Sequence, residues 1–350
     1  MLIISLQRRV LAVTIMLTVL LSTGLAQDKP LIKVVATGGT IAHLADDSRI
    51  PFEEAIADIR KNYPETHKLL DSVNIEVDNT IRVASSSMTG KDVLQIARSV
   101  DKAVKDPRVK GVVVTHGTVT SEETSYYLHL LIHTNKPLVL TNSQREHGTL
   151  GNDGDRNFID AVKVALSPDA AGKGVLLVHN QTISSAREFI KTSGRPGAFL
   201  SGEFGFLGVV GNGVTFYRAP TRRHTSRSEF DLDSITTLPK VEVIVAHHNA
   251  EPKLAQVAVD MGAKGIIVLG FASAGIPHPL QTPVLQALAD KGIPVVLTSR
   301  GGVNNWLEPN SRDKFIRGDN LPTQKARILL ELALTRTTDP KEIQRIFSEY

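Results

Sequence analysis

Short runs of aliphatic and β-branched residues alternate with longer amphipathic stretches along most of this chain. That alternation constrains the fold more than any single motif. The runs at residues 31–36, 111–115, 137–141 and 174–179 have strand length and carry few polar residues. Strands take on that character when crossover helices cover both faces of a parallel sheet. The stretches at 90–104, 120–133 and 155–166 have helical spacing. Strand–helix alternation predicts an α/β domain with a mostly parallel sheet. The pattern then changes. Apolar runs at 204–210 and 214–218 flank Gly211-Asn212-Gly213, a strong hairpin signal. Residues 219–240 are polar and aperiodic, with Pro220 and Pro239 near the ends, and read as a linker. Alternation resumes with strands at 241–246, 265–269 and 294–298 and helices at 252–261, 282–291 and 323–334. For 350 residues this predicts a larger N-terminal domain over 27–217, a linker over 218–239 and a smaller C-terminal α/β domain over 240–350.

The first 26 residues read as a cleaved signal. Arg8 and Arg9 precede an apolar run over 10–21, and Gly24-Leu25-Ala26 supplies small residues for cleavage. A twelve-residue run is short of the ~20 needed to span a bilayer. The expected location is therefore periplasmic or secreted, with no membrane attachment after cleavage. Removing the two arginines takes Lys+Arg from 40 to 38 against 36 acids, so the formal charge falls from +4 to +2. A balance that small argues against a nucleic-acid partner. The chain has no cysteine, which excludes disulfides, thiolate metal sites and a thiol nucleophile. It contains no Walker A loop, G-x-S-x-G elbow or H-E-x-x-H helix. His247 and His248 are adjacent at a strand end and point to opposite faces, so no metal site is expected there.

Three polar loops fall where ligands bind in open α/β sheets, beyond the carboxyl ends of strands. The first is Thr37-Gly38-Gly39-Thr40-Ile41-Ala42. Its glycines permit a tight turn, leave N–H groups open to an oxyanion and hold the Thr40 hydroxyl at the strand end. The same residues also suit a plain turn. The second is Thr115-His116-Gly117-Thr118-Val119-Thr120, where Thr120 and Glu123 have capping-box spacing and Thr118 is left unexplained by the cap. The third, Ala84-Ser85-Ser86-Ser87-Met88, precedes another capping box at Thr89 and Asp92. Its serines also serve as ordinary turn residues.

Residues 35–42 (VATGGTIA) and 114–128 (VTHGTVTSEETSYYL) resemble the two signature segments of the bacterial type II L-asparaginases, within the asparaginase/glutaminase amidohydrolase family. The likeness extends through Asn152-Asp153-Gly154, Asn157, residues 180–192 and 218–225, and the tail Gln324-Lys325-Ala326-Arg327. It implies an asparaginase-like α/β fold with a flavodoxin-like smaller domain, and a homotetramer built as a dimer of dimers. It also implies hydrolysis of a small-molecule amide, L-asparagine, through an acyl-threonine with no cofactor and no metal. Carried over by position, Thr40 matches the nucleophile, Thr118 the second catalytic threonine and Lys191 the lysine that activates it. Ser85 and Ser86 match substrate-binding positions. Backbone N–H groups at Gly39 and Thr118 are candidates for the oxyanion hole.

Several family positions differ. Val119 stands where the resemblance implies an aspartate that binds the substrate's ammonium and partners the lysine. Valine leaves Lys191 without a close anionic partner, which is costly if the lysine is buried. Ser86 replaces a glutamine. Residues 42–52 are short and lack the lid tyrosine, and residues 270–275 lack an asparagine that reaches a neighbouring subunit's site. Glu308 is a candidate for the acid contributed to that neighbour. Three readings follow: a working L-asparaginase that has diverged, an amidohydrolase for glutamine or an amino-blocked amide, and a non-catalytic exported binding protein.

Overall fold

The computed structural model describes residues 29–46, 48–272, 275–302 and 314–350. The expected signal over 1–26 and the candidate Glu308 lie outside the described residues.

The large sheet contains β1 (Leu31–Ala36), β2 (Asn74–Asp78), β3 (Val109–Thr115), β4 (Leu138–Thr141), β5 (Val175–His179), β6 (Thr182–Ser185), β9 (Gly208–Val210) and β10 (Val214–Phe216). A separate ribbon pairs β7 (Ile190–Lys191) with β8 (Phe199–Leu200). Spatial order in the large sheet is 10-9-6-5-4-3-1-2. Strands β1 to β5 run parallel, and β6, β9 and β10 extend the sheet antiparallel. The sheet is therefore mixed, with a parallel half where the sequence alternates and an antiparallel half where the hairpin signal appears. The smaller sheet is wholly parallel, in the order β11 (Val241–Val245), β12 (Gly265–Gly270), β13 (Val295–Ser299) and β14 (Ile316–Arg317).

Nine helices are described: α1 (Phe52–Asn62), α2 (His67–Leu70), α3 (Gly90–Lys105), α4 (Ser121–Leu131), α5 (Gly154–Leu166), α6 (Leu254–Asp260), α7 (Thr282–Asp290), α8 (Thr323–Ala333) and α9 (Pro340–Glu349). The period of two in β1 sends Leu31 and Val35 toward α3 and α4, and Ile32 and Val34 toward α1 and α5. On the second face the Phe52 and Phe158 rings meet edge to face, 5.0 Å between centroids. The first face does not end at the domain boundary. Its cluster runs on through α8 and α9 to Val241, Ile267 and Val296 of the small sheet. The small domain's outer face packs Ile244, Ile266 and Val268 on α6 and α7.

The stretch over 219–240 lacks regular structure apart from two short 3-10 turns, yet it is anchored. Phe230, Leu232 and Ile235 are buried, and the Glu229 N–H donates to the Tyr350 hydroxyl at 2.7 Å. Scattered apolar residues seated on the shared core leave no periodic signal. Strand β2 was equally hard to read in advance, because NIEVD is an edge strand with polar residues at its open positions.

Candidate active site

The chain leaves β1 toward β2 on one side and then crosses to β3 on the other, so β1 and β3 are neighbours whose following loops diverge. An α/β sheet forms a ligand crevice at such a reversal. Register makes the two loops start level: Ala36 pairs with Thr115. The Thr37 N–H and hydroxyl then both donate to the Thr115 carbonyl, at 3.1 and 2.9 Å.

Glycine brings the loops into contact. Gly39 has φ +91°, and a Cβ there would lie 2.5 Å from both Cα and N of Gly117. A Cβ on Gly117 would lie 2.5 Å from the Ser85 hydroxyl oxygen. The loops after β1 and β3 therefore touch backbone to backbone at Gly39 and Gly117, and the Ser85 side chain from the loop after β2 closes on Gly117. Thr40 and Thr118 each follow one of the two meeting glycines, and Thr40 opens a 3-10 turn over Thr40–Ala42.

Ser85 is buried and locks the second loop to the third. Its hydroxyl accepts the Val119 N–H at 3.3 Å, and its carbonyl accepts the Thr120 hydroxyl at 2.8 Å. The expected capping box at Thr120 does not form. The Thr120 side chain makes no cap bond, because its hydroxyl is committed to Ser85, while Glu123 accepts from Arg327 of α8 at 2.7 Å. The second expected box does form, with Asp92 accepting the Thr89 N–H at 2.7 Å. Ser86 is exposed on the turn beside Ser85. The Val119 side chain is 56% exposed, an apolar group at the edge of the site.

Lys191 arrives from β7, in the separate two-strand ribbon. Its Nζ donates to the Thr118 hydroxyl at 2.6 Å, joining residues 73 apart in sequence. Burial lowers the lysine's pKa, and the field of Glu122 opposes that shift. Glu122 corrects the expectation that Lys191 has no anion close by. Its carboxylate accepts the Lys191 N–H at 3.2 Å and the Gln324 side-chain amide at 2.8 Å. Sequence reasoning passed over Glu122 because, at the start of α4, an acid is explained by the helix dipole alone.

His116 sits behind the second loop, fully buried, with Nδ1 bonded to the Gly117 carbonyl at 2.7 Å. Burial pulls its pKa down to about 4, so it is neutral at pH 7 and holds the Gly117 turn. The short segment after Thr40 folds back on itself. Ile50 N–H bonds to the Ala42 carbonyl at 3.1 Å, Leu44 N–H to the Ser48 carbonyl at 3.0 Å, and Arg49 reaches the Arg82 carbonyl at 3.1 Å. The His147 N–H pins the turn from below through the His43 carbonyl at 2.7 Å.

Residues 31–222 match the family profile described as Asparaginase, N-terminal, and residues 240–347 match the Glutaminase/Asparaginase C-terminal domain. L-asparaginase 2 of Bacillus subtilis is 35% identical over 331 residues, covering 93% of this chain and 88% of that protein. L-asparaginase 2 of Escherichia coli is 33% identical, covering 94% and 95%. Glutaminase-asparaginase of Pseudomonas aeruginosa is 35% identical, covering 91% and 90%. The crystal structure of the probable cytoplasmic L-asparaginase from Campylobacter jejuni superposes with a TM-score of 0.84 and 37% identity, over 92% of this chain and all of that one. Matched by the family's domain profiles in both halves, and by relatives over 91–94% of its length, the chain belongs to the asparaginase/glutaminase family.

Proposed function

We propose that this protein hydrolyses L-asparagine to L-aspartate and ammonia through an acyl-enzyme on Thr40, with Thr118 and Lys191 assisting. The observation that carries the reading is the 2.6 Å bond between Lys191 Nζ and the Thr118 hydroxyl in the β1/β3 crevice. A threonine hydroxyl is a weak nucleophile until a base takes its proton. An amine with a lowered pKa is free base in a larger fraction of molecules and can draw a proton through Thr118. The Thr40 oxygen then adds to the amide carbon, and the carbonyl oxygen gains the charge. N–H groups of the Gly39 and Thr118 turns are suited to receive that charge. Collapse breaks the C–N bond, the proton leaves with ammonia, and water attacks the Thr40 ester to release the acid. Ser85 and Ser86 hold the substrate carboxylate in this reading, and no cofactor takes part.

The relatives named L-asparaginase and glutaminase-asparaginase support the amide chemistry. A Haemophilus influenzae relative is named a probable periplasmic L-asparaginase, which supports export of this chain with residues 1–26 removed. The mature unit would then be the 27–217 domain, the 218–239 connector and the 240–350 domain, assembled as a homotetramer. The exposed apolar side chain of Val119 favours a second reading, in which the preferred amide lacks a free α-ammonium.

The test is ammonia release by the purified mature protein on L-asparagine, L-glutamine and α-amino-blocked analogues. Release that vanishes in Thr40→Ala is expected. Release that survives Thr40→Ala overturns the acyl-threonine reading, and ligand binding without release from any amide points to a binding protein.

A further inference from the structure

Lys191 is held from its backbone side by a chain of contacts that begins in the other domain. Gln324, in the first turn of α8, donates its side-chain amide to Glu122 Oε1 at 2.8 Å. The other oxygen of the same carboxylate takes the Lys191 N–H at 3.2 Å. Lys191 Nζ then reaches Thr118. One carboxylate on α4 thus links the small domain to the lysine's backbone, while Val119 leaves the neighbouring position without charge.

We propose that Glu122, held by Gln324, is a positioning residue for Lys191: it fixes the lysine opposite Thr118 and supplies the negative charge that tunes its proton affinity. This rests on the reading of Lys191 as the assisting base. The carboxylate gives one oxygen to a neutral amide and the other to a peptide N–H, and in a partly desolvated site its charge is felt strongly. Burial lowers the Lys191 pKa and Glu122 raises it. The other charged groups around the lysine border the same cleft of about 410 Å³ between the domains. They are Arg187 and Glu188 on its own segment, Glu203 after β8 and Arg300 after β13. Glu122 is the charge whose field acts on Lys191, and the buried Lys325 ammonium feels the same carboxylate.

The experiment is the pH profile of kcat/KM for ammonia release from L-asparagine, measured on the intact protein and three variants. Lys191→Met is expected to abolish turnover; undiminished activity in this variant overturns the role of Lys191 and this proposal with it. With that role intact, Glu122→Gln removes the charge and nearly keeps the shape. Its acid limb is expected to move down by about one pH unit, as for loss of one nearby opposite charge. Gln324→Lys puts a positive charge beside the same carboxylate and offsets it, and its acid limb is expected to move down. Should Glu122→Gln fail to fold, Gln324→Lys carries the test alone. Variants that lose rate with the limb unmoved show a merely structural contact and overturn the proposal.

Discussion

Gly39 and Gly117 meet backbone to backbone, with no room for a single methyl group between them. A Cβ on Gly39 would sit 2.5 Å from Gly117 Cα, and the residue's φ of +91° is one that side chains other than glycine's rarely adopt. Strain and overlap act together here. Gly39→Ala is expected to cost about 2–4 kcal/mol and to lower ammonia release by roughly a hundredfold, the scale of a 1 Å misplacement in a reacting pair. Urea unfolding and steady-state rates measure the two effects. Gly148→Ala is the control. That glycine also has positive φ, +76°, but an added Cβ meets nothing within 4 Å, so only the conformational cost of about 1 kcal/mol should appear.

Val119 tests what its position does for the substrate. Its N–H is committed to Ser85 and its side chain is exposed, so an aspartate can be placed there without disturbing the turn. Val119→Asp is expected to raise kcat/KM for L-asparagine by roughly tenfold or more, from one charge-assisted contact to the substrate ammonium. No gain for L-asparagine in a variant of unchanged stability would count against that role for the position.

Lys325 is fully buried, and its ammonium donates to the carbonyls of Ala186, Arg187 and Phe189. Those carbonyls belong to the segment that delivers Lys191. Burial brings the Lys325 pKa down to about 7, against the fields of Glu122 and Glu188, which favour its charged form. Lys325→Met leaves three buried acceptors without their donor and is expected to destabilise the protein by about 3 kcal/mol. It should also lower kcat more than it raises KM, because the segment carries the base and not the substrate pocket. Equal stability to the parent in urea would contradict this assignment.

Acid should unfold this protein partly through its histidines. Burial drops His116 to about 4 and His179, in a three-ring cluster with Phe189 and Phe199, to about 3, against 6.5 in the unfolded chain. A pKa lowered by folding means that the unfolded chain takes up protons first. The stability is therefore whole above about pH 6.5 and is lost as pH falls toward 4. His116 contributes about 3 kcal/mol to that loss, and His179, whose loss continues toward pH 3, about 5 kcal/mol in all. His147 works in the opposite direction. Asp155, hydrogen-bonded to it at 2.7 Å, raises its pKa, so its contribution is present below pH 6.5 and disappears as pH rises through the folded value. Urea midpoints at pH 7.5 and 5 measure the balance, and His179→Leu is expected to reduce the drop between them. An unchanged drop in His179→Leu would remove His179 from the account.

Local elements with strong periods, and the chemistry available at the loops, can be read along the chain. The buried parallel strands were legible because crossover helices leave only apolar residues on both faces. Thr40, Thr118 and Ser85 stood out as hydroxyls beside turns in loops that the resemblance already marked. Which of these meet depends on how the folded chain is threaded. The reversal between β1 and β3 puts Gly39 on Gly117, and no period records that crossover. The 2.6 Å contact between Lys191 and Thr118 joins a two-strand ribbon to a strand end 73 residues away, which local composition cannot specify. Glu122 shows the limit most clearly. On the page of the sequence it is one acid in a helix's first turn; in the fold, packing of α8 against α4 gives its two oxygens to Gln324 and to Lys191.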